Sequence, residues 1–145
     1  MIRNERDYKE ALYRLEKDKK VLEAQRWALA ESGLSEEEVE RGLGPMLSFH
    51  AQLEEEVEWY ERVRRREFAV SHDVRDMGRT LIALRIANGL SQREVAERLG
   101  VSEAQVSRDE RNEYHGITVE RVQKVLDAME ESLRMQVEDK PLVIV

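Results

Sequence analysis

Three histidines, two glutamate runs and an arginine triplet are the residues of this 145-residue chain with the plainest capacity for chemistry. His50, His72 and His115 stand far apart and share no helical His-x-x-x-His spacing. With no cysteine in the chain, metal or thiol chemistry lacks its parts. Glu36-Glu37-Glu38 and Glu54-Glu55-Glu56 read as solvated helix faces rather than as paired catalytic carboxylates, and no glycine-rich phosphate loop occurs. The expectation is a non-enzyme without cofactor or metal. Arg64-Arg65-Arg66 invites a nucleic-acid reading, yet it closes an expected helix, where cations offset the negative end of the macrodipole.

Composition says which elements must carry any site. Charged residues make up 38% and aromatics only 6%, a mix that favours amphipathic helices over a thick sheet core. The length suits one domain or two small ones. No stretch approaches the roughly 20 apolar residues of a membrane helix, and Met1 to Lys9 is too charged for a signal peptide, so a cytoplasmic location is expected. A net charge of −7 argues against general affinity for nucleic acid. The acidity is uneven, however: residues 1–70 carry −4, whereas residues 77–117 are neutral. A neutral segment can still gather its arginines on one face.

Along the chain, Asn4 is placed to cap a first helix in which Tyr8, Leu12, Leu15, Leu22 and Leu29 keep to one stripe until Gly33. Ser35 and Glu38 have capping-box form and predict a short second helix through Val39, closed by Gly42-Leu43-Gly44-Pro45. A further long helix is predicted from Met46 to about Phe68, with Phe49, Leu53, Val57, Tyr60 and Val63 as its apolar stripe. Single narrow stripes on long helices imply burial against each other or against a second chain. Ser71, His72 and Asp73 mark a break.

From Met77 the pattern changes to four short helices. Leu81, Leu84 and Ala87 face inward on the first, which Asn88-Gly89 ends; Ser91 caps the second, with Val95, Ala96 and Leu99 inward. Val106 is the expected buried residue of the third, and Val119, Val122, Val125, Leu126 and Met129 face inward on the fourth. Gly100 supplies the positive φ that lets a helix stop and turn within three residues. Ala96 is small where two helices cross closely, Val106 closes the angle, and Ser102 can cap the third helix and donate to a phosphate. The third helix is thereby pushed outward as a ridge that fits a DNA major groove about 12 Å wide.

Leu84-Arg85, Gly89-Leu90-Ser91-Gln92, Val95-Ala96, Leu99-Gly100-Val101-Ser102, Val106-Ser107-Arg108 and Glu110 together resemble the Cro/C1-type helix-turn-helix regulators, the XRE family. The resemblance covers about residues 77–130. It implies an all-α fold and double-stranded DNA as partner, with Gln92 and Ser102 on phosphates and Arg93 beside them. Glu103, Ala104 and Arg108 would face base edges with Ser107 alongside. Arg108 is the candidate for a bidentate contact to guanine O6 and N7, Glu103 could accept from cytosine N4 or serve only its helix N-terminus, and Ala104 could touch a thymine methyl. Asn112, Tyr114 and His115 lie in a loop that runs past the DNA backbone in the family, although a packed Tyr114 beside a solvated His115 fits equally well. Arg85 and Glu110 would form a scaffold ion pair. One position departs from the pattern: the residue after Arg108 is usually apolar, and here it is Asp109, so either the third helix rotates or Asp109 finds Arg111 or Arg85.

The expected organisation is an N-terminal helical region over 1–70 for dimerisation or partner binding, a four-to-five-helix DNA-binding domain over 77–131, and a tail over 132–145. Family members usually dimerise to read half-sites about 34 Å apart. The N-terminal helices are one candidate interface; Pro141-Leu-Val-Ile-Val145, which could pair as a short strand with its copy, is the other. A second resemblance gives an alternative function. Ile2 to Leu12 is similar to the start of HigA-type antitoxins, which implies a toxin partner held by the acidic N-terminal helices and repression of the protein's own operon.

Overall fold

The computed structural model describes residues 1–139, and within them the only regular elements are helices. The strand expected near Pro141–Val145 lies outside the described residues. α1 spans Glu5–Glu31 and α2 spans Glu36–Arg64, joined by a tight turn at Gly33, where φ is +87°. Both starts follow the sequence signals. The Asn4 side chain accepts from the Asp7 amide at 2.7 Å, and Ser35 and Glu38 cap each other reciprocally.

α2 is one helix, not the two that its glycines and proline predict. Pro45 lies inside it, although proline removes a backbone bond and crowds the preceding turn. Packing overrides the breaker: Leu43 and Val39 are buried with Leu22, and Leu29, Met46 and Leu47 close around them. The stripe on α1 is also shifted, since Ala11 is buried while Leu12 points outward. Phe49 is half exposed and lies under the Arg14 guanidinium, 4.7 Å from the ring centroid.

After a short 3₁₀ turn at Val74–Asp76 come α3 (Met77–Ala87), α4 (Gln92–Leu99), α5 (Glu103–Arg111) and α6 (Val119–Ala128). Ser91, Ser102 and Thr118 each cap the helix that follows through a side-chain oxygen. Val125, Leu126 and Met129 are buried as expected, but Val119, in the first turn of α6, is 81% exposed. Its neighbours along the helix meet α4 and α3; at the very start of α6 nothing lies close enough to cover it.

One apolar cluster joins the two halves of the chain. Val57, Tyr60 and Val63 of α2, together with Ile2, pack with Leu81, Ile82, Val95, Tyr114 and Val125. The arginine triplet is consumed within the chain: Arg64 meets Glu5 at 3.1 Å and lies over the Tyr8 and Tyr60 rings, Arg65 pairs with Glu67, and Arg66 reaches Glu131 at 2.8 Å. No helix among the described residues is long and apolar enough to cross a membrane.

Candidate nucleic-acid interface

α5 has a sharply divided surface because its residues repeat every 3.6 positions. Val106 and Glu110 are buried, Gln105, Ser107 and Asp109 are half-buried, and Glu103, Ala104, Arg108 and Arg111 are exposed. The exposed residues fall on successive turns of one side. Ser107 lies at its edge. Among the described residues neither Arg108 nor Arg111 has an acidic partner within 4 Å, so this side presents two free guanidinium groups. From sequence, Arg111 reads only as a candidate partner for Asp109. Its spacing of three from Arg108 was the available signal.

The helix is aimed by its N-terminal turn. Gly100 adopts φ +71°, the Val101 amide returns to the Ala96 carbonyl at 3.0 Å, and Ser102 Oγ accepts from the Gln105 amide at 3.2 Å. Buried Val95, Ala96 and Val106 then hold α4 and α5 together at their crossing.

The back of α5 is clamped through charge. Arg85 of α3 donates to both carboxylate oxygens of Glu110, Nε to Oε2 at 2.6 Å and Nη2 to Oε1 at 2.8 Å. The same guanidinium donates to the carbonyls of Leu90 and Arg3, and Gln92 Nε2 donates to Glu110 Oε1 at 3.1 Å. The scaffold role expected of Arg85 and Glu110 is therefore seen, and the first residues of the chain share it. Gln92, expected on a phosphate, gives one of its two amide hydrogens to this clamp.

Asp109 meets neither Arg85 nor Arg111. Its partner is Arg121 of α6, with Nη2 3.7 Å from Oδ2. A carboxylate thus occupies the position that is usually apolar in the family, and a cation from α6 stands beside it.

The loop after α5 is built on strained backbone. Glu113 and Tyr114 take φ of +52° and +53°, a conformation that non-glycine residues avoid. Tyr114 is buried, and that burial, with the Glu110 and Asp109 carboxylates near by, pushes its hydroxyl pKa well up. Tyr114 is thus the packed member of the loop, while Asn112 and His115 are exposed. Gly78 makes the arrangement possible: a Cβ there would lie 1.7 Å from the Glu113 carbonyl oxygen. In the sequence this glycine is marked only by its place in the first turn of a helix.

Of the remaining phosphate candidates, Arg93 is exposed and 3.4 Å from Glu97, and Ser102 is exposed with its oxygen engaged in the cap. Residues 81–135 match the family model for the helix-turn-helix. This segment is an XRE-type helix-turn-helix domain. A comparison with curated proteins finds no match, and neither does one with solved structures. The helix-turn-helix domain is a DNA-binding regulatory module; its bihelical core is α4–Gly100–α5, and α1 and α2 precede the matched segment.

Proposed function

We propose that this protein is a cytoplasmic, sequence-specific transcriptional regulator that binds double-stranded DNA as a dimer and inserts α5 into the major groove. The observation that carries the reading is the exposed side of α5, where Arg108 has no acidic partner within 4 Å among the described residues while Val106 and Glu110 anchor the opposite side. Glu103, Ala104, Ser107 and Arg108 meet base edges, and Arg111 extends the same side. Arg93, Ser102, Asn112 and His115 hold phosphates. Gln92 serves the backbone contact through its place at the α4 N-terminus and through its bond to Glu110.

Selection of binding sites from random duplexes tests it. The natural protein should enrich a two-part motif with half-sites about one helical turn apart. Arg108→Ala should lose preference at one position per half-site, worth about 1–3 kcal/mol there. Failure to enrich any motif at low salt would remove the reading, and an Arg108→Ala profile identical to the natural one would remove the assignment of α5.

A second reading keeps the DNA-binding domain and adds a toxin partner. It is favoured by the charge of α2, which carries nine glutamates against three arginines. A small basic protein encoded beside this one, lethal alone and harmless when co-expressed, would establish it. A neighbouring frame without that effect would dismiss it.

A further inference from the structure

α1 carries two stripes on opposite sides. Ala11, Leu15, Leu22 and Leu29 form the seam with α2, whereas Lys9, Tyr13, Lys20, Ala24, Trp27 and Glu31 form a continuous exposed face half a turn away. Tyr13 is 72% exposed and Trp27 is 67% exposed. They stand about 21 Å apart along the helix at 1.5 Å per residue.

A scattered surface aromatic requires no explanation. What distinguishes this face is that it complements itself. When two copies of α1 pack antiparallel in the register that sets Tyr13 against Trp27 of the second copy, Lys9 falls opposite Glu31 of that copy at both ends. Lys20 then lies on the twofold axis, and Glu16 and Glu23, about one turn to either side on each helix, surround the two ammonium groups with four carboxylates. Both aromatics are covered twice, and each end gains an opposite-charge pair.

We infer that the outer face of α1 is the homodimer interface of this protein, an antiparallel contact between two copies of α1 centred on Lys20. The inference gives a surface to the dimer of the proposed function and rests on that reading only for its purpose. A helix of 27 residues is about 40 Å long, and a contact strip about 10 Å wide covers about 400 Å² per copy. The two copies together bury about 800 Å², short of the roughly 1,000 Å² of a stable interface, so the dimer is weak and forms in solution toward the upper end of a concentration series.

The absence of cysteine makes a direct test available. In full-length Lys20→Cys the two thiols meet on the axis, and mild oxidation should yield a covalent dimer at least tenfold faster than in Glu55→Cys, where the thiol sits on α2. Sedimentation over a concentration series should show the natural 17.0 kDa chain passing to twice its mass. Trp27→Glu should shift that transition at least tenfold higher in concentration with unchanged helix content and melting temperature. A chain that stays monomeric throughout overturns the interface and leaves the face to a different protein. A dimer indifferent to Trp27→Glu, with Lys20→Cys no faster than Glu55→Cys, overturns it in favour of another self-contact. Because these measurements contain no DNA, an intact dimer that selects no motif would defeat the regulator reading alone, and motif selection without Lys20→Cys cross-linking would defeat the interface alone.

Discussion

Arg85 holds Glu110 by two parallel hydrogen bonds, 2.6 and 2.8 Å long, with only 5% of one side chain and 1% of the other exposed. No other ion pair among the described residues is buried to this degree. The pair ties α3 to the buried side of α5, and further hydrogen bonds of the two side chains reach Leu90, Arg3 and Gln92. Removing one partner strands the other charge, so Arg85→Met should lower unfolding stability by about 3–5 kcal/mol in urea titration. Arg85→Met combined with Glu110→Leu should recover most of that loss. A single substitution costing under about 1 kcal/mol would show that the clamp does not hold α5.

The Asp109–Arg121 pair should behave oppositely. At 3.7 Å, with about a third of each side chain exposed, the pair is longer and wetter than the Arg85–Glu110 clamp, although Arg121 Nη2 itself is buried without a hydrogen-bond partner among the described residues. Asp109→Ala should cost no more than about 1 kcal/mol. Asp109→Leu, which restores an apolar residue to this place, should be tolerated with motif selection intact. Loss of selectivity in Asp109→Leu would mean that Arg121 aims α5 through this contact.

Gly78→Ala should be among the most damaging small substitutions in the chain. The added methyl would overlap the Glu113 carbonyl, a backbone atom that cannot swing aside. Relief requires moving the loop that buries Tyr114, at about 1–3 kcal/mol or more. Thermal unfolding gives the cost, and increased susceptibility of the Tyr114 ring to iodination locates it. A variant with natural stability would refute the close packing.

Pro45→Ala should stabilise the outer part of α2, by up to about 3 kcal/mol, since it returns an amide to a helix interior. Slower hydrogen exchange at residues 41–49 is the expected signature. Unaltered exchange there would indicate that α2 is already interrupted at the proline in solution.

Glu131 links the segment after α6 to α3 and to the end of α2. Hydrogen bonds from Asn88 and from Arg66 hold its carboxyl pKa below the ordinary glutamate value. A group with a depressed folded pKa contributes its stability in full above the unfolded value, about 4.3. That contribution fades as pH falls through the lower folded value. Glu131→Gln should therefore reduce stability at neutral pH and flatten the decline below about pH 4.5. Parallel acid-unfolding curves for the two proteins would exclude this group from the acid response.

Local rules were legible wherever one short-range partner decides the outcome. Asn4, Ser35, Ser91, Ser102 and Thr118 cap the helices that follow them, and Gly100 takes the positive φ that a three-residue turn requires. Val95, Ala96 and Val106 are buried because their spacing allows no other side. The signals failed where distant residues compete with local ones. Gly42 to Pro45 reads as a breaker, yet α2 runs through it, because Val39 and Leu43, with Met46 and Leu47, bury jointly against Leu22 and Leu29 and so offset the loss at the proline. Val119 has the right period for a core position but lies beyond the reach of α3 and α4.

From its order of residues alone this chain is committed to helices, to a tight α4–α5 bend, and to an α5 whose exposed side includes Ala104 and Arg108, because caps, glycine dihedrals and a 3.6-residue period act over a few positions. The partner of Asp109, the need for a glycine at 78, the sharing of Arg85 with the Arg3 carbonyl and the merging of α2 with the DNA-binding core follow only from tertiary structure. Each depends on groups far apart in the chain meeting at a few ångströms, and no spacing along the sequence specifies such a meeting.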